Sequence, residues 1–187
     1  MSTPSKPRYP LAEAKAIASE LEALLAPCCE RIIIAGSIRR GKATVGDIEL
    51  LYIPRTAERQ LDMFARHTVS LVDELLDSLV FSGVLCRRLS VKGTPAWGAK
   101  NKLAAHVNTG IPVDFFATTE RDWHNALVCR TGPTECTMRI ATEARSRGWQ
   151  WHAYGAGFSR PAEHRDVTSE RAVFEFVGLP YREPQDR

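Results

Sequence analysis

The stretch from Gly36 to Glu49, Gly-Ser-Ile-Arg-Arg-Gly-Lys-Ala-Thr-Val-Gly-Asp-Ile-Glu, leaves this chain little freedom in how it folds. The apolar run Arg31-Ile32-Ile33-Ile34-Ala35 leads in and Ile48-Glu49-Leu50-Leu51-Tyr52-Ile53 leads out. Both runs are rich in strand formers, so the segment reads as strand, turn, strand. Residues two apart on a strand share a face, which sends Asp47 and Glu49 out together while Ile48 and Leu50 face a core. Two neighbouring carboxylates repel unless a cation lies between them. The hard, oxygen-seeking cation that fits is Mg²⁺, which keeps its other positions for water and phosphate. Gly36 and Ser37 can bring backbone N–H groups to a phosphate, and Arg40 can grip one by charge-assisted hydrogen bonds. The pattern points to nucleotidyl transfer.

A second motif overlaps the first. Gly36 to Lys42 reads G-x-x-x-x-G-K, all but the last position of a Walker A loop. That loop needs Ser or Thr after the lysine and must open a helix. Ala43 follows here, and Thr44-Val45-Gly46 leads into a strand, so the Walker context fails.

Around this core the pattern alternates. Residues 10–25, with Ala12, Ala16, Ile17, Leu21, Leu24 and Leu25 at helical spacing, predict an amphipathic helix stopped by Pro27. Strands are expected at about 31–35 and 47–53, and a second long helix over 61–80. Three strands follow at about 84–90, 102–107 and 111–117, then helices at 120–128 and 133–147 and a last helix near 168–178. The expected fold class is α/β, a mixed β-sheet with packed helices over 1–117, plus a small C-terminal α+β subdomain over 118–187. In Val113-Asp114-Phe115 the alternation points Asp114 away from the core.

These segments in combination resemble the DNA polymerase beta-like nucleotidyltransferase superfamily, and most closely the smallest family X DNA polymerases, reduced to palm and C-terminal subdomain. The Gly-Ser turn with Asp47-Ile48-Glu49 carries the signature. Ile111 to Phe116 is similar to the strand of the third carboxylate, and Thr131-Gly132-Pro133 to the turn after the sugar contact. Met138 to Gly148 is similar to the helix that tracks the nascent base pair, and Tyr181-Arg182-Glu183-Pro184 to the closing motif.

The resemblance implies roles. Asp47, Glu49 and Asp114 would be the catalytic carboxylates, holding two Mg²⁺ ions, with Mn²⁺ able to substitute. Gly36, Ser37, Arg40 and Gly46 would bind the triphosphate, and Cys129, Arg130 and Gly132 the nucleotide's sugar side. Lys100, Lys102 and Arg139 would meet nucleic acid, and Arg39 would either share the phosphate or brace the turn. The implied substrates are a nucleoside triphosphate and primer-template or gapped DNA, with a ligase or another repair protein as a plausible partner.

Three departures modify this expectation. Glu49 stands where family X members usually have aspartate, which puts efficiency in question. Cys129-Arg130 replaces a pair that is usually aromatic, which implies weak discrimination between deoxy- and ribonucleotides. Ala141 replaces an arginine that reads the templating strand, which implies low fidelity. A nucleotidyltransferase acting on RNA or a protein side chain, and a weakly active nucleic-acid-binding relic, stay open beside the polymerase reading.

Composition bounds the rest. With 187 residues, 44% of them hydrophobic, the chain can fold on its own. It offers no apolar run near the roughly 20 residues of a membrane span, and no membrane partner is expected. Its start lacks a signal core and its five cysteines lack metal-ligand spacing, so a reducing, cytoplasmic setting in a bacterial or virus-infected cell is expected. The five histidines show no zinc spacing. No amino-terminal lyase domain or helix-hairpin-helix is recognisable. The net charge of +3 is modest, so any DNA contact rests on where the arginines and lysines cluster.

Overall fold

The computed structural model describes residues 7–60 and 66–187. A short strand β1 (Tyr9–Pro10) opens directly into helix α1 (Leu11–Leu25), followed by a 3-10 turn over Ala26–Cys28 and strand β2 (Cys29–Ile34). The Gly-Ser turn is a single helical turn, α2 (Gly36–Arg39), and a two-residue strand β3 (Thr44–Val45) follows before β4 (Ile48–Pro54). A hairpin of β5 (Thr56–Gln60) and β6 (Arg66–Ser70) leads to α3 (Leu71–Phe81). Strands β7 (Leu85–Arg87), β8 (Asn101–His106) and β9 (Pro112–Ala117) complete the main sheet. Beyond it come α4 (Trp123–Thr131), α5 (Thr134–Ser146), a meander of β10 (Gln150–Trp151), β11 (Phe158–Arg160) and β12 (Glu163–Arg165), and α6 (Glu170–Phe176).

The five-stranded sheet has the order β2-β4-β9-β8-β7 and is mixed: β4 and β9 run parallel and the other neighbours antiparallel. Its two central strands carry the acidic residues. Ile48, Leu50, Val113 and Phe115 are buried against Ala14, Ile17, Leu21, Val72 and Leu76 of α1 and α3. Leu51 and Phe116, on the opposite face, pack with Trp123, Ala126 and Leu127 of α4. Val128, on the same helix, enters a separate C-terminal core with Ile140, Phe158, Val173 and Phe174. Helix α4 is thus the joint between the sheet and the C-terminal part. Trp149 and Trp151 pack on that C-terminal core.

One expected element is different. The helix expected over 61–80 is helical only from Leu71, residues 66–70 form a strand, and 61–65 lie outside the described residues. Ser70 is the reason: its Oγ accepts from the Asp73 N–H at 3.2 Å and caps the helix there. The β-branched Thr68-Val69 pair prefers the ladder with Ala57 and Glu58.

Candidate active site

Parallel pairing of β4 with β9 sets the site. Glu49 and Asp114 are register partners on these adjacent strands, so two carboxylates far apart in sequence share one face of the sheet. Asp47 lies immediately before β4. The turn from β2 into α2 fixes Glu49 from the other side. Gly36 has φ of +61°, and a Cβ placed on it would lie 2.2 Å from Glu49 Oε2. Only glycine permits both that backbone conformation and that approach.

A cleft of about 620 Å³ opens over Asp47 and Glu49, lined also by Ser37, Arg40, Gly46 and residues from α4 and the start of α5 including Cys129, Arg130 and Gly132, and Asp114 lines an adjoining pocket that shares Gly46 and Asp47. Two donors beside it are buried without partners, Ser37 Oγ and Arg40 Nε. Buried polar groups are nearly always paired, so these two are poised for acceptor oxygens from outside the chain. Arg40 is held by an Nη1 hydrogen bond to the Thr131 carbonyl. Gly132, at φ +62°, leaves the room: a Cβ there would crowd Arg40 Nη1 at 3.2 Å. Six of the seven residues expected from sequence to bind the nucleotide therefore line one cleft, and the seventh, Gly36, lies behind Glu49.

The carboxylates strain against one another. Burial, with Asp47 and then Asp114 adding repulsion, pushes Glu49 up to about 8, against the pull of Arg130 and Arg40. Burial also raises Asp114, partly offset by Arg88. Arg88 donates from Nη2 to Asp114 Oδ1 at 2.5 Å. Among the described residues no three His, Cys, Asp or Glu side chains form a closed metal-ligand group, and Arg88 engages the third carboxylate. The donor set nonetheless suits a hard divalent cation: three carboxylates converge from β9 and the start of β4, two of them raised, and a bound cation would relieve that repulsion in place of a proton.

Several residues stand elsewhere than expected. Lys102 does not reach a nucleic-acid surface: it is 3% exposed, and its Nζ donates to Asp73 Oδ1 at 2.8 Å and to the Gly98 carbonyl at 2.9 Å. The alternation of β8 points it inward, where α3 supplies the carboxylate. Arg87 is likewise paired with Asp77 of α3. Lys100 and Arg139 are exposed. Arg39 braces the turn. It donates to Thr131 Oγ1 at 2.6 Å and to both oxygens of Glu170 at 2.9 and 2.6 Å, tying α2 to α6. The Trp97 loop is anchored, with Nε1 donating to Asp77 at 2.8 Å and the Arg87 guanidinium 4.7 Å over the ring.

Three residues escaped the sequence reading. Arg8 lines the cleft and bonds the Thr44 carbonyl, clamping β1 onto the catalytic loop. Tyr154, 62% exposed, and Phe116 sandwich the Arg130 guanidinium at 4.6 and 3.3 Å from their ring centroids. The α4 side of the cleft therefore carries an arginine plane backed by two rings from distant segments. No local motif signals it, since the three residues lie on β9, α4 and the turn after β10.

Comparison with known proteins agrees with this geometry. The DNA polymerase beta palm matches residues 7–112, more than half of the chain, and the DNA polymerase beta thumb matches residues 126–187. DNA polymerase lambda of Rattus norvegicus is 26% identical over 170 residues, which cover 83% of this chain and 28% of that protein. Repair DNA polymerase X of African swine fever virus (isolate Pig/Kenya/KEN-50/1950) is 22% identical over 158 residues, covering 84% of this chain and 82% of the viral protein. This chain thus spans under a third of the rat polymerase and most of the viral one. It belongs to the DNA polymerase beta family, family X, and carries that family's palm and thumb.

Proposed function

We propose that this chain adds nucleotides to a DNA primer 3′-hydroxyl opposite a template, filling short gaps, with Asp47, Glu49 and Asp114 as its metal-binding carboxylates. The observation that carries this is that Glu49 lines a cleft with two idle buried donors, Ser37 Oγ and Arg40 Nε, while its register partner Asp114 lines an adjoining pocket that shares Gly46 and Asp47 with that cleft. Those donors suit the β- and γ-phosphates, and the Gly46 backbone lies beside them. Arg40, although its charged form is disfavoured by burial, is sustained by Glu49, Asp47 and Glu135. Divalent cations, two Mg²⁺ in this reading, would supply activation of the attacking hydroxyl and stabilisation of the leaving oxygen. The protein's own part is to position: Gly36 and α2 hold Glu49 and the phosphates, and Arg88 holds Asp114 until the site is loaded.

Cys129 and Arg130 leave the sugar edge without an aromatic side chain of α4 directly at the 2′-position. Weak sugar discrimination therefore stays part of the proposal, with the Arg130 plane as the surface the sugar meets. Low fidelity follows from Ala141, which offers the template no donor. The palm would run to about residue 117 and the thumb from 118, and the chain would act in a reducing, cytoplasmic compartment.

The test is single-nucleotide addition to a labelled primer on gapped and on single-stranded DNA, with Mg²⁺ or Mn²⁺ and each nucleotide in deoxy- and ribo-form. Template-matched addition that disappears in Asp47→Ala is expected. Absence of addition under both metals would overturn the proposal and direct attention to RNA and protein acceptors.

A further inference from the structure

Beyond the carboxylates the sheet holds another pocket, of about 420 Å³. Leu51 and Phe116 line it, two residues past Glu49 and Asp114 on β4 and β9, with Ala117 and Ala126 beside them. Residues two apart on a strand share a face, so this pocket follows the catalytic cleft along the strands. The two cavities share Arg130 and Tyr154. That common wall is braced from α4. The buried Asn125 side chain donates to the Gly155 carbonyl at 2.9 Å and accepts from Trp151 Nε1 at 2.8 Å, which ties the turn carrying Tyr154 to the helix. Phe116 and Tyr154 cover the faces of the Arg130 guanidinium, so its N–H edge is what it offers a ligand. Neither Arg130 nor Lys100, which is exposed at the pocket, forms an ion pair among the described residues.

The lining selects a ligand. Pockets for whole small molecules run from about 300 to 1,000 Å³ and are mostly apolar, with a few convergent polar groups. Here Leu51, Phe116, Ala117 and Ala126 suit a flat ring, and Asn101, Thr118 and Asp122 offer donors and acceptors to its edge. Asp122 stands at the N-cap of α4, yet its side chain caps no helix N–H. Its carboxylate is therefore available to accept from an amino group, and it repels a further anion. Two unpaired cations match a phosphate monoester, which carries about −1.5 to −2 at pH 7. A triphosphate would bring surplus negative charge towards Asp122. A planar base with an amino donor, joined through its sugar to one phosphate, answers each of these groups.

We propose that this pocket is a second nucleotide site, for a nucleoside 5′-monophosphate, which restrains the catalytic cleft by engaging Arg130 and Tyr154 from behind. The binding stands independently of what the chain extends, whereas the restraint on extension rests on the polymerase reading. The occupant's phosphate draws the Arg130 edge to itself and away from the sugar of the incoming nucleotide. Triphosphates that lose their outer phosphates become monophosphates, so the site makes extension respond to the state of the nucleotide supply.

The experiment is fluorescence titration of the full chain with 2-aminopurine deoxyriboside 5′-monophosphate, with and without excess dCTP to fill the catalytic cleft. The emission of the base should change on binding, and the change should persist under dCTP. The same nucleoside without its phosphate should bind about tenfold more weakly, as loss of a charge-assisted hydrogen bond implies. Asn101→Trp, at an exposed position of the lining, should abolish the dCTP-resistant binding and leave primer extension without effector unchanged. In wild type, saturating dAMP should lower kcat/KM for the incoming nucleotide about fivefold, to a plateau, and Asn101→Trp should not respond. Displacement of all the probe by dCTP, resistant binding that survives Asn101→Trp, or no binding at all would each overturn the site. Binding without effect on extension would overturn the restraint. A chain that binds the probe as expected but extends no primer would sink the polymerase reading and keep the site.

Discussion

Replacing Gly36 by alanine separates what the backbone requires from what the site requires. The new Cβ would stand 2.2 Å from Glu49 Oε2, and real Cβ contacts essentially never fall below about 3.0 Å. The carboxylate must therefore retreat by at least about 0.8 Å. A displacement on the order of 1 Å at a reacting centre can cost about 10²-fold in rate, close to 2.7 kcal/mol in the barrier. The backbone cost is separate: an L-residue at φ +61° loses about 1–2 kcal/mol of stability, or roughly 2–8 °C in Tm for a chain of this size. Gly83 supplies the control. It has φ +77° and nothing within 4 Å of its would-be Cβ. Gly83→Ala should lose similar stability with primer extension unchanged, while Gly36→Ala should lose about 100-fold in kcat at 25 °C with the protein still folded. Extension by Gly36→Ala within threefold of wild type, melting included, would refute the claim that Gly36 positions Glu49.

Protonation of Glu49 gives a second prediction. The folded chain keeps this proton up to about 8 against an ordinary 4.5, so over that interval the folded state binds more protons than the unfolded one. The contribution of Glu49 to metal-free stability is then fullest at low pH and declines as pH rises towards about 8. Thermal melts between pH 5 and 9 should show the decline, and Glu49→Gln should flatten it. Mn²⁺ titrated calorimetrically at pH 7 in buffers of different ionisation heat should release about one proton; no release would contradict the raised Glu49. Glu170→Ala leaves Arg39 and Arg187 facing one another with side chains only 19% and 0% exposed, and chemical denaturation should register a loss of about 3 kcal/mol. Lys102→Met should destabilise by about 1–3 kcal/mol by leaving Asp73 unpaired without changing DNA affinity, whereas Lys100→Ala should weaken DNA binding and lessen its salt dependence.

The sequence by itself determined the strands around the Gly-Ser turn, the faces of Glu49 and Asp114, and the helices expected over 10–25 and 133–147 and found at Leu11–Leu25 and Thr134–Ser146. These follow from period-two and helical patterning and from glycine and proline, all of which act over a few residues. It did not determine the hairpin over 56–70, because its pairing rests on a ladder between weakly patterned strands and a single serine cap. It also could not distinguish Lys100 from Lys102, or decide what Arg39 does. Those answers depend on partners 29 residues away for Lys102 and 131 for Arg39. The tertiary structure alone set Glu49 beside Asp114, Arg88 on Asp114, and Arg130 between Phe116 and Tyr154. Local periodicity fixes which way a side chain faces, but strand order and helix packing fix what it faces.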